Sequence, residues 1–304
     1  MSRAISEKFI YDLKQGRLAS LTRKIQNGHT LMLALRGKSI NIYYRGGNIL
    51  RLKEWSDGYA SFFDKNYTAE REIPRLPGSV RTEDDCQKWV QSFPVLKEIM
   101  NEFLAHHHKA EREFQQLVAW ENNRSPIANE TEYFFTDIEF AEPEIGERAD
   151  MIGLKWKAGE RRDGLHCTPV LVEMKYGIGA LQGRAGIAKH IDDLNAILGK
   201  PGKQIAINEM IADQFQQLDQ LGLFCFNRSK RFGGIKVEGK PKVILLLANL
   251  NPRSKKLLQV LTSLEEPEDY HLKFFVASFA GYAMHSTCML SLAEFRQYLE
   301  RMPK

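Results

Sequence analysis

The sequence predicts an α/β protein with a mixed central sheet flanked by helices, preceded by a small α+β module. Three observations lead there. Residues 133–140, 148–156 and 168–176 are short runs rich in aromatic and aliphatic side chains, separated by charged or turn-prone segments, so they read as a three-strand meander. Apolar residues at three- and four-residue steps on either side of that meander read as helices. The run 242–248 is apolar after its first residue and reads as a fully buried strand.

Taken in order, residues 1–28 open with helical spacing (Ile5, Phe9, Ile10, Leu13, Leu18, Leu21) and end at the turn signal Asn27-Gly28. Strand-like runs follow at 30–35, 39–44 and 48–52. Their connections, 36–38 and 45–47, are basic and contain glycine, which predicts a compact meander. Glycine lets backbone approach a phosphate, and Arg45 beside Tyr43 and Tyr44 suits nucleic-acid contact; an ordinary soluble turn explains the same residues equally well. Residues 55–80 read as irregular, and the proline-rich stretch 74–78 marks a boundary, dividing the chain into an accessory module at 1–80 and a main domain at 81–304.

A long helical pattern covers about 83–122, with a break expected at Pro94. Its stripe of Leu96, Ile99, Phe103, His107, Glu111, Phe114, Val118 and Glu121 puts Glu111 on a mostly apolar face. His106, His107 and His108 are consecutive, so on a helix they point in different directions and read as solvated imidazoles. Beyond the meander, helices are expected at about 184–198, 202–221, 252–264 and 291–301, and strands at 223–226 and 272–278. The segment 227–242 is the most basic in the chain and carries three glycines. Its Arg228, Lys230 and Arg231 could neutralise phosphates or belong to a solvated loop.

The meander carries the chemistry. Glu173 and Lys175 stand two apart on an otherwise apolar strand, so they share a face with Cα atoms about 6.5 Å apart. Asp150 lies near the start of the preceding strand. Two carboxylates and a lysine converging from neighbouring strands suit a hard cation such as Mg²⁺, which accepts oxygen ligands and shares its shell with water and phosphate. Lys175 could hold a water or neutralise developing charge. A buried salt bridge between Lys175 and either acid is the competing reading. Asp137 and Glu139 share a face of the first strand, and either could approach the cluster or pair with a base.

The order Asp150, then Glu173-Met174-Lys175, resembles the PD-(D/E)XK nuclease superfamily, also called restriction-endonuclease-like. Ala149 stands where the family name has proline. The resemblance covers residues from about 86 onward and implies a core of helix, three-strand meander, helix and strand. It implies a Mg²⁺- or Mn²⁺-dependent endonuclease on DNA, with Asp150, Glu173 and the Met174 backbone carbonyl holding the metal and Lys175 acting on the water. It also implies a further carboxylate from the helix before the meander, Glu111 first and Glu113 second. Residues 181–193 resemble the segment after the lysine in other members, which makes Gln182, Lys189 and His190 candidates for steadying a phosphate. The alternative is a non-catalytic nucleic-acid- or partner-binding protein that keeps the fold. A third reading is a different α/β enzyme in which these charges are structural.

Composition sets the remaining expectations. With 304 residues, 43% hydrophobic and 27% charged, the chain can bury a substantial core. The formal net charge of +5 is compatible with a polyanionic partner. No apolar run reaches the length of a membrane span, the first residues lack a signal-peptide core, and four scattered cysteines read as free thiols. A cytoplasmic protein is therefore expected; DNA as its substrate is what the resemblance implies, and homodimerisation is left open.

Overall fold

The computed structural model describes residues 3–68, 71–142, 147–161, 163–177, 181, 186–227, 233–249, 255–277 and 284–301. It is a mixed α/β structure with two five-stranded sheets and flanking helices, divided into two compact units: Met1–Gln116 with Asp213–Phe224, and Leu117–Ala212 with Cys225–Lys304.

The first unit holds helices α1 (Glu7–Lys14) and α2 (Ala19–Gln26) and the antiparallel sheet β1 (Leu31–Leu35), β2 (Ser39–Tyr44), β3 (Gly47–Trp55), β4 (Gly58–Phe62) and β5 (Ser79–Val80), in that order. Ser6 caps α1 by accepting the Phe9 N–H at 3.1 Å. Strands β4 and β5 fall in the stretch expected to be irregular. The missed signal was Asp57-Gly58: the hairpin closes on the Trp55–Gly58 pair around Ser56 and Asp57, a two-residue loop. Five short residues of β4 then escape notice because two of them, Tyr59 inward and Ala60 outward, are all the alternation there is.

Helix α3 (Glu83–His106) starts at a capping box, in which Thr82 accepts the Asp85 N–H at 3.2 Å and the Asp85 carboxylate accepts the Thr82 N–H at 3.1 Å. Contrary to the expected break, Pro94 lies inside this helix. Helix α3 ends instead at His107, whose ring stacks on Phe103 at 4.2 Å and whose N–H reaches the Phe103 carbonyl. The burial of Phe93 and Leu96 on either side of Pro94 holds the helix together where one missing N–H would weaken it. Helix α4 (Ala110–Asn123) follows. The expected domain limit at residue 80 coincides with the end of the first sheet, whereas the first compact unit continues to Gln116 and takes in 213–224 as well.

The second unit is built on β6 (Tyr133–Glu142), β7 (Glu147–Lys155), β8 (Thr168–Tyr176), β9 (Lys242–Ala248) and β10 (His271–Ala277), ordered β10-β9-β8-β7-β6. The meander β6-β7-β8 is antiparallel, and β8, β9 and β10 are mutually parallel. Helices α5 (Ile187–Leu198) and α6 (Pro201–Gln220) lie in the chain between β8 and β9, and α7 (Lys255–Thr262) between β9 and β10; α8 (Leu292–Glu300) follows Ser291, which caps it. Parallel pairing requires such long crossovers, and it buries both faces of the central strands, so Val243–Leu247 are all at most 1% exposed. The expected strand at 223–226 does not form. Cys225 donates its N–H to the Asn123 carbonyl, and Phe226 packs edge-on against Phe134 and Trp156.

Candidate functional site

The site is made by a change in pairing between β7 and β8. Their ladder runs from Lys155–Thr168 to Met151–Val172 and stops there, although both strands continue. One step further, Asp150 faces Glu173. On the other side of β7, the pairs Ile138–Met151 and Phe140–Ala149 bracket Glu139 opposite Asp150. Directly opposed residues in an antiparallel sheet project to the same face. Glu139, Asp150 and Glu173 therefore form a row of three carboxylates across three adjacent strands.

Where the ladder stops, a side chain replaces it. Asp150 Oδ2 accepts the Met174 N–H at 2.7 Å. In an extended residue the N–H and C=O point to the same neighbour, so the Met174 carbonyl also faces the β7 side. The β8–β9 ladder continues through Lys175–Leu247 and Tyr176–Ala248, which keeps Glu173 and Lys175 on a regular strand. Lys175 Nζ lies 2.6 Å from Glu173 Oε1, and each residue is only 4% exposed. His190, in the first turn of α5, places Nδ1 at 3.1 Å from the same oxygen.

Burial pushes the Glu173 carboxyl above its ordinary range; Lys175 and a hydrogen bond with Asp150 act the other way, and the charge of Glu139 adds to the rise. Burial wins because a desolvated carboxylate loses far more than one adjacent ammonium restores. The row is thus short of positive charge, which suits a cation. Among the described residues, no group of three or more His, Cys, Asp or Glu side chains is disposed to enclose a metal ion. Two adjacent carboxylates and a nearby carbonyl are nonetheless a donor set that Mg²⁺ accepts, since it keeps several of its waters.

Two backbone features support the row. Thr136 is the extra residue of a β-bulge, since Phe135 pairs with Gly153 and Asp137 with Ile152. At Gly153 an added Cβ would sit 2.0 Å from the Phe134 carbonyl oxygen, so only glycine allows this approach. Glu139 itself has φ of +52°, a conformation that side chains other than glycine, asparagine and aspartate seldom adopt. A strained carboxylate next to Asp150 marks the row as a functional candidate. The sequence placed Glu139 on the strand, but its position opposite Asp150 depends on the bulge. Asp137, two residues before Glu139, is fully buried and pairs in register with Ile152.

The other candidates are distributed as follows. Arg45 has φ of +49° and holds Glu113 through two bonds of 2.7 and 3.0 Å, with Asn101 Oδ1 at 2.9 Å from its third nitrogen. Its fork is thus engaged within the first unit, and the Glu113 hydrogen bond raises its pKa. Glu113 is held in turn, and Glu111 lies in the same first turn of α4. Lys189 pairs with Asp193 one turn along α5. His106, His107 and His108 are exposed. Gln182, Arg228, Lys230 and Arg231 lie outside the described residues. All four cysteines are free thiols. No helix among the described residues is long and apolar enough to cross a membrane.

No protein-family model, curated protein or solved structure matches this chain.

Proposed function

We propose that the chain is a Mg²⁺-dependent phosphodiesterase acting on DNA, an endonuclease of the restriction-endonuclease-like kind. The observation that carries the reading is the splay of β7 from β8, which brings Asp150, Glu173 and Lys175 together on one face. The element order α4, β6-β7-β8, α5 and β9 supports it.

In this reading Asp150 and Glu173 hold the metal, with the Met174 carbonyl as a further donor. When bound, Mg²⁺ supplies polarisation of a phosphoryl oxygen and a more acidic water. Asp150 is fixed for its part by the Met174 N–H, and Glu173 by Lys175 and His190. Such outer contacts orient ligands and tune their basicity. Lys175, whose ammonium lies 2.6 Å from Glu173, would orient the water or offset charge that builds on the phosphoryl oxygens.

The second reading is a DNA- or partner-binding protein without cleavage. It is favoured by the Lys175–Glu173 contact itself, which has the length and burial of a structural ion pair. Plasmid cleavage in Mg²⁺ and Mn²⁺ separates the two. Asp150→Ala and Glu173→Ala should weaken Mn²⁺ binding and abolish cleavage. Lys175→Met, which keeps the buried stem, should retain or tighten Mn²⁺ binding while cleavage falls ~10²–10⁴-fold. Cleavage that survives in a folded Lys175→Met protein makes the lysine structural. Wild-type protein that binds DNA and cuts none in either metal leaves the binding reading standing.

A further inference from the structure

The second unit has a cavity of about 300 Å³ lined by Lys155, Lys157, Glu160, His166, Thr168 and Lys242. It is separate from the carboxylate row in two respects. Thr168 begins β8 five residues before Glu173, about 16 Å away along an extended strand. An odd offset also reverses the face: Lys155 pairs with Thr168 and Lys242 with Val170, so these residues project opposite to Asp150 and Glu173.

The charge of this cavity is incompletely balanced. Lys155 pairs with Glu132 at 3.1 Å and Lys157 with Glu160 at 3.2 Å. Among the described residues the Lys242 ammonium shows no hydrogen bond or ion pair, yet it is half-buried beside both of those lysines. Burial, then Lys155, Lys273 and Lys157, lower its pKa. His271, its register partner on β10, is lowered by burial and by Lys242, Lys240 and Lys273. A concentration of like charge on adjacent strand ends is unfavourable unless an anion joins it. The cavity wall supplies further hydrogen-bonding groups as well, the Thr168 hydroxyl and the His166 imidazole. His166 is held at φ of +63° in a turn where Asp163 Oδ1 accepts the Leu165 N–H. The segment 233–238 closes along this turn through Lys236 N–H to the Gly164 carbonyl and Glu238 N–H to the Cys167 carbonyl.

We infer that this cavity binds a phosphate-class polyanion, presented as a free diphosphate or as a nucleic-acid backbone, at a site independent of the carboxylate row. Lysine ammonium groups bind phosphate as point charges, and the volume exceeds what one phosphoryl group needs.

Calorimetric titration of the full chain with inorganic pyrophosphate, in EDTA so that no divalent ion bridges to carboxylates, tests the site. Saturable binding is expected that weakens as salt rises. Lys242→Met should lose roughly tenfold or more in affinity, as for one charge-assisted contact. The exposed Lys157→Gln, which has little bearing on folding, should lose affinity in the same direction. Anisotropy of a labelled duplex in EDTA distinguishes the sources. A duplex displaced by pyrophosphate and weakened by Lys242→Met makes the backbone the ligand; an unaffected duplex makes it the free anion. The inference is overturned if pyrophosphate shows no saturable binding, if both lysine variants bind it as wild type does, or if Asp150→Asn abolishes that binding. None of these results bears on plasmid cleavage.

Discussion

Glu173 Oε1 receives two nitrogen contacts, from Lys175 at 2.6 Å and His190 at 3.1 Å, and burial still raises the carboxyl pKa. That imbalance has a measurable consequence for metal binding. A proton and a cation compete for the same oxygens, so the protonated form must be displaced before the cation binds. With the pKa raised, competition begins at a higher pH than for an ordinary glutamate. Mn²⁺ affinity should therefore fall on acidification before the ordinary glutamate range is reached, and recover as pH rises through the raised pKa. Calorimetric Mn²⁺ titrations at successive pH values check this; an affinity that stays flat down to the ordinary range contradicts it. At the same scale, Arg161 shows how backbone carbonyls and an aromatic ring can hold a buried cation. Its guanidinium donates to the carbonyls of Asn129, Thr131 and Trp156 and lies over the Phe134 ring, and burial pushes its pKa down to about 10.

At the scale of the element, β6 and β7 position the carboxylate row only because Gly153 lets them approach at the bulge. Gly153→Ala would place a methyl group against the Phe134 backbone, which cannot rotate away. The substitution should destabilise the second unit by about 3 kcal/mol, the upper part of the overpacking range. It should also weaken Mn²⁺ binding, since Asp150 lies three residues along the same strand. Urea denaturation and a Mn²⁺ titration measure both effects; wild-type values in both would mean that the bulge has no part in the site. Helix α3 offers a milder case. Thr82→Ala removes the side chain that accepts the Asp85 N–H and should lower stability by about 1 kcal/mol. Faster amide exchange in the first turn of α3 is the local readout, and unchanged exchange there would show that the cap contributes little.

At the scale of the whole molecule, the first unit is discontinuous in sequence. Residues 213–224 belong with residues 1–116, and Gln217 shows the reason. Its amide accepts the Ile5 N–H and donates to the Ile5 carbonyl, both at 2.8 Å, in a buried setting. Gln26 likewise donates to the Leu221 carbonyl at 2.7 Å. Gln217→Leu would leave both Ile5 groups without partners and should destabilise the first unit by on the order of 1–3 kcal/mol per group. A fragment of residues 1–116 alone should unfold without cooperativity. The same fragment joined through a flexible linker to 213–224 should unfold cooperatively. Equal cooperativity of the two fragments in thermal circular dichroism would show that 213–224 is dispensable.

Features that depend on near neighbours are legible in the chain. Alternation and β-branching from 133 to 176 locate three strands, the apolar run Val243–Leu247 locates a buried one, and the two-residue spacing of Glu173 and Lys175 puts them on one face. Hydrophobic steps locate α5, α6 and α8 within a few residues. The helix break was misplaced because a proline's local penalty says nothing of the packing of Phe93 and Leu96 that offsets it. Long-range pairing sets the register that puts Glu139, Asp150 and Glu173 in one row, the point at which β7 leaves β8, and the return of 213–224 to the first unit. The same pairing lets His190 reach Glu173 and lets Lys155, Thr168 and Lys242 line one cavity. These are contacts between residues far apart in the chain. They depend on strand pairing and burial, which no local pattern of side chains encodes.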